Sequence, residues 1–283
     1  MNSASVQSYI RTVTTEENPV IEAALNRIRA EAAPVTVGLA ANIGQRDYQQ
    51  DASFGDVYGT TGFGVVCDGM GGLEGGERAS QTAVSMLIED YYAEDRIRDI
   101  DTFFNQEAYK LNDAVCELRG ADGASMHAGT TIVAVQIEQN LLSWLSVGDS
   151  RIYLLRGNTI SQLNREHTYR TTLDARLALG EISNAEYLAE EGQAEALTSF
   201  LGVGKLKLVD QNMEKKELRE GDAILLCSDG LYKGLSDELI LGIAQTALPD
   251  TQLAARRLVE GVLQKNIRQQ DNVSVVLLQY HSR

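Results

Sequence analysis

Basic side chains are scarce in this sequence of 283 residues, which has 25 lysines and arginines against 40 aspartates and glutamates. The formal net charge of −15 at pH 7 has the wrong sign for a surface that neutralises nucleic-acid phosphates. We therefore expect no nucleic-acid partner.

Cysteine and long apolar runs are also scarce. Cys67, Cys116 and Cys227 form an odd set without a CxxC pair, which indicates neither a disulfide framework nor a zinc knuckle. We interpret them as small buried residues, and a redox effect of Cys67 and Cys227 on nearby acidic residues is a second interpretation. No apolar run reaches the roughly 18 residues of a membrane span, and the N-terminus lacks signal-peptide features. We expect a cytoplasmic protein without a membrane partner.

Proline is almost absent after Pro34, and neither an internal repeat nor a low-complexity linker divides the chain. A single domain over residues 34–283 is therefore preferred to two. Residues 1–33 are polar and acidic, with one helical stretch near Glu22–Glu31. We treat these 33 residues as an N-terminal appendage of unknown function.

Hydrophobic spacing predicts both helices and strands. Apolar residues recur every four positions over 78–92, which is typical of an amphipathic helix, and further helices are predicted over 100–119 and, as a pair, over 235–267. Runs with strand character cover 35–41, 62–67, 133–137, 141–147, 151–156, 159–163, 206–218, 223–228 and 273–280. This order indicates an α+β fold in which helices cover the outer faces of packed antiparallel sheets.

Four separate segments each supply an aspartate: VVCDGMGG with Asp68, VGDSR with Asp149, LLCSDGL with Asp229 and QQDNVSVVLL with Asp271. Three of the four follow an apolar run with strand character, which places the carboxylates where strands end. Hard divalent cations take several oxygen ligands, whereas carboxylates gathered without a cation repel one another. The four segments together therefore predict a metal site.

Each motif has a purely structural alternative when it is taken alone. DGMGG is also compatible with a plain turn, and the aspartate of GDS with a residue that caps its own backbone. Arg46, in GQRDYQQD, is also compatible with a solvated loop residue. The presence of all the motifs in one chain is what favours the functional interpretation.

A family resemblance is carried by GQRDYQQD, VVCDGMGGLEGGERAS, AGTT, VGDSRIYLLR, LTSFLGVG, GDAILLCSDGL and DNVSVVLL, in this order. The series resembles, over residues 36–281, the metal-dependent serine/threonine protein phosphatases of type 2C in their bacterial form. The resemblance implies a four-layer α/β/β/α sandwich, with two central antiparallel sheets flanked by helix pairs. It also implies metals in a cleft at one edge of the sandwich, with a flap near residues 165–205 beside it.

The resemblance implies a ligand set for two or three divalent ions, manganese or magnesium. Asp68 would bridge two ions, the carbonyl of Gly69 would bind the second, and Asp229 and Asp271 would complete the first. The glycines of DGMGG let the backbone bring a carbonyl close to a cation. Asp149, with Asp229, resembles the holder of a third and weaker ion seen in bacterial members.

Other positions around the site match or depart from the family. Arg46 matches the arginine that holds the substrate phosphate, since a planar guanidinium binds two oxygens at once. Gln50 stands where some members carry a glutamate beside the second metal, and Asp51 is expected to orient a metal-bound water or another ligand. Met70 replaces a histidine of eukaryotic relatives that is proposed to protonate the leaving oxygen, so a metal-bound water is the expected acid here.

The implied reaction is hydrolysis of phosphoserine and phosphothreonine on proteins by direct attack of a metal-bridging water, with Asp68, Arg46 and Asp229 as catalytic residues. We expect phosphoprotein substrates made by a partner serine/threonine kinase, and a monomeric enzyme. Two alternatives stay open: a pseudophosphatase that acts as a regulatory binding module, and a hydrolase of small phosphoesters.

The histidines and two residues of the implied flap are further positions for which the sequence supports predictions. His127, His167 and His281 are the three histidines of the chain, and we expect none to be catalytic. His167 begins the flap, and we predict a solvated loop residue there. Ser199 and Phe200 stand where bacterial relatives often have arginine and alanine, with an effect on the flap that the sequence does not specify.

Overall fold

The computed structural model describes residues 34–72, 74–93, 97, 99–212 and 214–282. The N-terminal appendage predicted over residues 1–33 lies outside the described residues. Within them the chain forms two antiparallel β-sheets that pack face to face, with helices on both outer faces.

The first sheet has the strand order β1-β12-β11-β7-β8, and every neighbouring pair is antiparallel. Its strands are β1 (Val35–Asn42), β7 (Arg151–Arg156), β8 (Thr159–Gln162), β11 (Ala223–Cys227) and β12 (Val273–Tyr280). The first and last strands of the described chain therefore lie side by side.

The second sheet has the order β10-β6-β5-β3-β2, with β4 paired to β3 and β9 paired to β6. Its strands are β2 (Asp51–Tyr58), β3 (Thr61–Met70), β4 (Gly129–Thr130), β5 (Ile132–Glu138), β6 (Leu141–Val147), β9 (Asp210–Gln211) and β10 (Lys216–Glu217). The strand-like runs over 133–163 suggest one antiparallel meander of consecutive strands, and this is confirmed in part. β5 pairs with β6 and β7 with β8, but β6 and β7 belong to different sheets.

Helices cover the outer face of each sheet. They are α1 (Gly75–Ala93), α2 (Ile100–Cys116), α3 (Tyr169–Ala178), α4 (Asn184–Glu190), α5 (Asp229–Tyr232), α6 (Asp237–Gln245) and α7 (Thr251–Leu263). The pair α1 and α2 packs on the second sheet, and α6 and α7 pack on the first. No helix in the described part of the chain is both long enough and apolar enough to cross a membrane.

Successive residues of a central strand enter different hydrophobic layers, because side chains alternate between the two faces of a sheet. Val65 of β3 packs beneath α1 and α2, whereas Val66 packs between the two sheets. Leu225 of β11 packs beneath α6 and α7, whereas Leu226 faces the other sheet. These strands are apolar on both faces, and the predicted four-layer α+β sandwich is confirmed.

Two strand predictions need correction. Residues 206–218 form no continuous strand: only the short segments β9 and β10 pair there, each with a part of β6. Conversely, β2 is a full strand that the apolar pattern does not predict, since its sequence DASFGDVY contains two aspartates and a glycine. All of its residues pair with β3, and this pairing stabilises a strand whose composition does not favour one.

Candidate active site

The five aspartates singled out by the sequence lie at the same end of the sandwich. Asp51 opens β2 and is the direct cross-strand partner of Asp68, near the end of β3. Asp229 follows β11 after one residue, and Asp271 precedes β12 by one residue. In the pairing of β7 with β11, Arg151 lies opposite Cys227, and Asp149 and Asp229 each lie two residues beyond this last pair, where their charges interact. Antiparallel neighbours place the end of one strand beside the start of the next, and this gathers segments that are distant in sequence.

Hydroxyl groups connect the two sheets beneath this acidic cluster. The Oγ of Ser228 donates to Oδ2 of Asp51 at 2.7 Å and accepts from the backbone N–H of Ser274 at 2.9 Å. Ser228 belongs to the segment that follows β11, whereas Asp51 belongs to β2 of the other sheet. The position of Asp51 therefore depends on both sheets.

The hydroxyl groups of Thr131 and Ser150 fix the backbone at Asp68. Its backbone N–H donates to Oγ1 of Thr131 at 3.0 Å, and its carbonyl accepts from the N–H of Thr131 at 2.9 Å. Oγ1 of Thr131 also lies 2.7 Å from Oγ of Ser150, the residue after Asp149. The backbone at Asp68 is thus tied to the turn that carries Asp149.

Burial and mutual repulsion raise the pKa of three of these carboxyl groups. Burial and then the charges of Asp229 and Asp271 raise the pKa of Asp51 to about 7, against the hydrogen bonds that it accepts. Burial, followed by the charge of Asp51, raises the pKa of Asp68 well above its ordinary value. Burial, followed by the charge of Asp229, raises the pKa of Asp149 to about 6. A bound cation favours the deprotonated carboxylate and would offset each of these effects.

Two buried carboxylate oxygens in this cluster, Oδ1 of Asp51 and Oδ1 of Asp229, have no hydrogen-bond partner in the protein. A buried polar atom without a partner carries a desolvation cost of about 1–3 kcal/mol, and more when it is charged. Carboxylate oxygens are the donors that magnesium and manganese prefer. The residues present therefore fit divalent cations.

The described part of the chain contains no group of three or more histidine, cysteine, aspartate or glutamate side chains already arranged to hold a metal ion. Two of the predicted ligands are paired with basic side chains instead. Oδ2 of Asp271 lies 2.6 Å from Nη2 of Arg46, and Oδ2 of Asp229 lies 2.5 Å from Nζ of Lys233. The structure thus brings the acidic segments together, and the assignment of individual ligands stays a prediction.

A cavity of about 180 Å³ opens between the segments that carry these two aspartates. Its lining consists of Asp229, Gly230, Lys233, Gly234, Ile267, Gln269, Gln270 and Asp271. Both carboxylates and the lysine therefore border one solvent-filled space at the end of the sandwich.

Gly69 lies where no side chain can be accommodated. A Cβ placed on it would be 2.1 Å from the carbonyl oxygen of Gly76 and 2.4 Å from that of Gln50. The backbone N–H of Gly69 donates to the same Gln50 oxygen at 3.1 Å. The amide of the Gln50 side chain donates to the carbonyl of Gly71 at 3.1 Å, so Gln50 holds the DGMGG turn from both sides.

Asn272 is a site residue that sequence reasoning missed. It is buried, and its Oδ1 accepts from the backbone N–H of Gln50 at 2.7 Å. Its Nδ2 donates to the carbonyls of Ile43 at 2.8 Å and Tyr48 at 3.1 Å. These bonds fasten the loop that carries Arg46 to the segment that carries Asp271. The available signal was the position of this asparagine directly before a buried strand, in DNVSVV.

The prediction that His167 is a solvated loop residue is wrong. Its side chain is 5% exposed, and its Nδ1 accepts from the backbone N–H of Gly148 at 3.2 Å. Burial lowers the pKa of the imidazole to about 4, so the ring is neutral. Backbone bonds of His167 to Gly148 and Thr198 hold this segment against the sandwich, and such packing is not visible in a polar sequence.

The two departures in LTSFLGVG serve to seat this segment. Ser199 is buried, and its Oγ donates to the carbonyl of Leu208 at 2.9 Å. The ring of Phe200 packs on Gly129, since a Cβ on that glycine would lie 2.6 Å from the ring. Leu201 exchanges backbone hydrogen bonds with Thr130, which in turn pairs with Gly69.

Two of the three cysteines match the simpler of their two interpretations, whereas Cys116 is only partly buried. Cys67 and Cys227 are fully buried, and burial raises the pKa of both thiols. A buried thiol with a raised pKa forms little of the reactive thiolate. The interpretation of these two residues as core residues is therefore confirmed.

A sandwich of two antiparallel sheets with an acidic cluster at one end has counterparts among known proteins. The model of the protein phosphatase 2C family matches residues 40–260. Serine/threonine protein phosphatase PstP of Mycobacterium tuberculosis is 31% identical over 216 residues, which cover 75% of this chain and 39% of that protein. The chain therefore belongs to the protein phosphatase 2C family, and the predicted family is confirmed.

Solved structures support the same conclusion. The serine/threonine phosphatase of S. agalactiae superposes with a TM-score of 0.73 at 25% identity, covering 88% of this chain and 100% of that chain. The catalytic domain of PstP in complex with 2 manganese ions superposes with a TM-score of 0.70 at 26% identity, covering 88% and 99%. Because the chain spans only 39% of the length of curated PstP, similarity to PstP does not carry over the activity of that whole protein.

Proposed function

We propose that the protein hydrolyses phosphoserine and phosphothreonine on proteins with the help of two divalent ions, manganese or magnesium. The observation that carries the proposal is the convergence of acidic side chains from both sheets at one end of a phosphatase 2C sandwich. Asp68 and the carbonyl of Gly69 would hold the ions from the second sheet, and Asp229 and Asp271 from the first. When bound, such ions supply an acidified water as the nucleophile and neutralise charge on the phosphoryl group.

The protein itself would orient the substrate. Arg46 stands beside Asp271 with its side chain 55% exposed, which leaves its guanidinium accessible to a phosphate at the mouth of the site. A planar guanidinium holds two phosphoryl oxygens and stabilises the charge that develops on them in the transition state. Asn272 keeps the Arg46 loop in register with the ligand segment.

Asp51 would act through its neighbours. Its Oδ2 is occupied by Ser228, whereas its buried Oδ1 has no partner in the protein and points to a role in holding a water or a neighbouring ligand. The family relatives named as serine/threonine phosphatases support the substrate class. Opposition to a serine/threonine kinase, cytoplasmic localisation and a monomeric state stay predictions.

The test is manganese-dependent release of phosphate from a phosphothreonine peptide. Asp68→Asn and Asp229→Asn should abolish the release, whereas Asp122→Asn, in an exposed loop, should preserve it. Manganese binding without release would favour the pseudophosphatase alternative. Release from p-nitrophenyl phosphate alone, with none from phosphopeptides, would favour a hydrolase of small phosphoesters.

A further inference from the structure

Lys233 lies one helical turn after Asp229, and its ammonium is directed back to that carboxylate. Nζ of Lys233 is 2.5 Å from Oδ2 of Asp229, and the backbone N–H of Lys233 donates to the carbonyl of Asp229 at 3.0 Å. Residues four apart on a helix are neighbours on its surface, so α5 holds the pair in this geometry. The lysine is therefore fixed to the site by both its backbone and its side chain.

The charges of further carboxylates act on the same ammonium. Its electrostatic interactions reach Asp149 and Glu195 as well as Asp229. Asp149 and Asp229 each lie two residues beyond the last pair of β7 and β11, and the carbonyl of Asp149 accepts from the hydroxyl of Tyr232, the residue before Lys233. A positive charge thus stands where the first sheet brings Asp149 and Asp229 together.

The two oxygens of Asp229 have different surroundings. Oδ1 is buried without a hydrogen-bond partner in the protein, whereas Oδ2 is paired with Lys233. A cation shared by Asp149 and Asp229 would compete with the lysine for Oδ2. The buried Oδ1 remains for the ions that Asp68 and Asp271 would also bind.

We infer that the ammonium of Lys233 takes the place of a third divalent ion between Asp149 and Asp229, so that this protein binds two ions and not three. The inference rests on the proposed function, because it concerns the same metal site. A side-chain cation is covalently tethered and so has a high effective concentration at the site. Competition from Lys233 would keep a weak third ion out over the range of manganese concentrations that fills the first two sites.

A role for Lys233 in binding the substrate phosphate is less well supported. The ammonium already forms an ion pair with Asp229 and is also influenced by the charges of Asp149 and Glu195, and a phosphate would have to displace it from Asp229. Arg46, by contrast, has one carboxylate partner and a more exposed side chain. The observed contacts therefore favour Lys233 as an internal counter-cation.

The test is the number of manganese ions bound by the full chain, measured by equilibrium dialysis with elemental analysis. We expect two per wild-type protein, two for Lys233→Arg, and a third, weaker one for Lys233→Met, which keeps the length of the side chain without its charge. The double variant Lys233→Met with Asp149→Asn should return to two. Thermal unfolding of each variant without metal checks that it is folded, and Lys233→Gln is the second neutral variant if the methionine variant is not.

Three bound ions in the wild type, with a loss of one in Asp149→Asn, would overturn the inference. An unchanged count of two in folded Lys233→Met and Lys233→Gln would overturn it as well. A wild-type count below two would instead refute the proposed metal site, and the inference with it. The count therefore distinguishes failure of the counter-cation from failure of the proposed function.

Discussion

Nη2 of Arg46 lies 2.6 Å from Oδ2 of Asp271, although the two residues are 225 positions apart in the sequence. One is the predicted phosphate-binding residue and the other a predicted metal ligand. Their side chains are 55% and 39% exposed, and an ion pair so accessible to solvent contributes little to stability. The pair places the guanidinium at the mouth of the site, beside the position that a phosphate would occupy.

Replacing Arg46 should therefore affect catalysis more than folding. We expect Arg46→Ala to lower kcat/KM for a phosphothreonine peptide by about 10²-fold or more, because the transition state loses a charged bidentate partner. Arg46→Lys should recover only part of this loss, since an ammonium lacks the planar fork. Steady-state kinetics measures both values. Arg256→Ala, exposed on α7, is the matched control, and an unchanged kcat/KM in Arg46→Ala would refute the assigned role.

The metal-free protein should become less stable as the pH rises from 3.8, the ordinary pKa of an aspartate, to about 7. Burial raises the pKa of Asp51 from 3.8 to about 7 and that of Asp149 to about 6, so the folded state binds protons that the unfolded state has already lost. For such groups the stabilisation is complete below the unfolded pKa and is lost as pH rises through the folded pKa. The slope should be on the order of 1 kcal/mol per pH unit for each group.

Urea unfolding in the presence of EDTA at several pH values measures this slope. Asp51→Asn should reduce it below pH 7, where the folded state holds a proton on Asp51 that the unfolded state has lost. Glu107, whose pKa burial raises to about 7, contributes with the same sign, whereas His167, whose pKa burial lowers to about 4, contributes with the opposite sign. Glu107→Gln and His167→Gln therefore serve to separate these sources from Asp51. Saturating manganese should remove most of the slope that depends on Asp51, and a slope insensitive to both Asp51→Asn and manganese would contradict the assignment.

Loss of the Asn272 side chain should misplace the Arg46 loop. Asn272→Ala leaves one N–H and two carbonyls, those of Gln50, Ile43 and Tyr48, without their partner. We expect a loss of about 2–4 kcal/mol in the free energy of unfolding, since each unsatisfied buried group costs about 1–3 kcal/mol. KM should rise more than kcat falls if the loop positions the phosphate-binding residue.

Chemical denaturation and steady-state kinetics on the same Asn272→Ala preparation test both expectations. Asn158→Ala, in the exposed turn between β7 and β8, is the control and should leave both measurements near the wild type. Equal changes in KM for the two variants would show that Asn272 has no positioning role.

Substitution by alanine should have different effects on manganese binding at two glycines of DGMGG, Gly69 and Gly72. Gly69→Ala would place a Cβ 2.1 Å from the carbonyl oxygen of Gly76, so the backbone must shift away from the site. Gly72→Ala meets no atom within 4 Å. Isothermal titration with manganese should show a Kd at least about tenfold higher for Gly69→Ala and an unchanged Kd for Gly72→Ala. A tenfold change in Kd corresponds to about 1.4 kcal/mol of binding free energy. Equal affinities would mean that the carbonyl at Gly69 is not a ligand.

The acidic segments were predictable from the sequence because their motifs mark strand ends, where apolar runs give way to aspartate and glycine. Asp68 and Asp229 each follow such a run, and the structure places them at the ends of β3 and β11. Hydrophobic periodicity alone predicted packed sheets with helices on their outer faces. The order of the four layers came from the family resemblance. Helix spacing gave α1 and α2 within a few residues of their observed ends.

What could not be predicted depends on contacts between distant segments. The burial of His167 results from packing against Gly148, and its polar neighbours gave no sign of it. The role of Asn272 requires the loop at residues 43–50 to lie beside β12. Strand β2 is stabilised by its pairing with β3 rather than by its own composition. Within the strand-like run 206–218, only the short segments β9 and β10 pair with another strand.

The acidic side chains come from both sheets, and the hydroxyl bridge from Ser228 to Asp51 spans the boundary between them. Neither sheet carries all of the predicted ligands, so ions would be captured only after the two sheets have packed together. Metal affinity would then report on the assembly of the whole sandwich. Substitutions in the apolar layer between the sheets, remote from any phosphate, should weaken the capture of ions by altering the spacing of the two sheets.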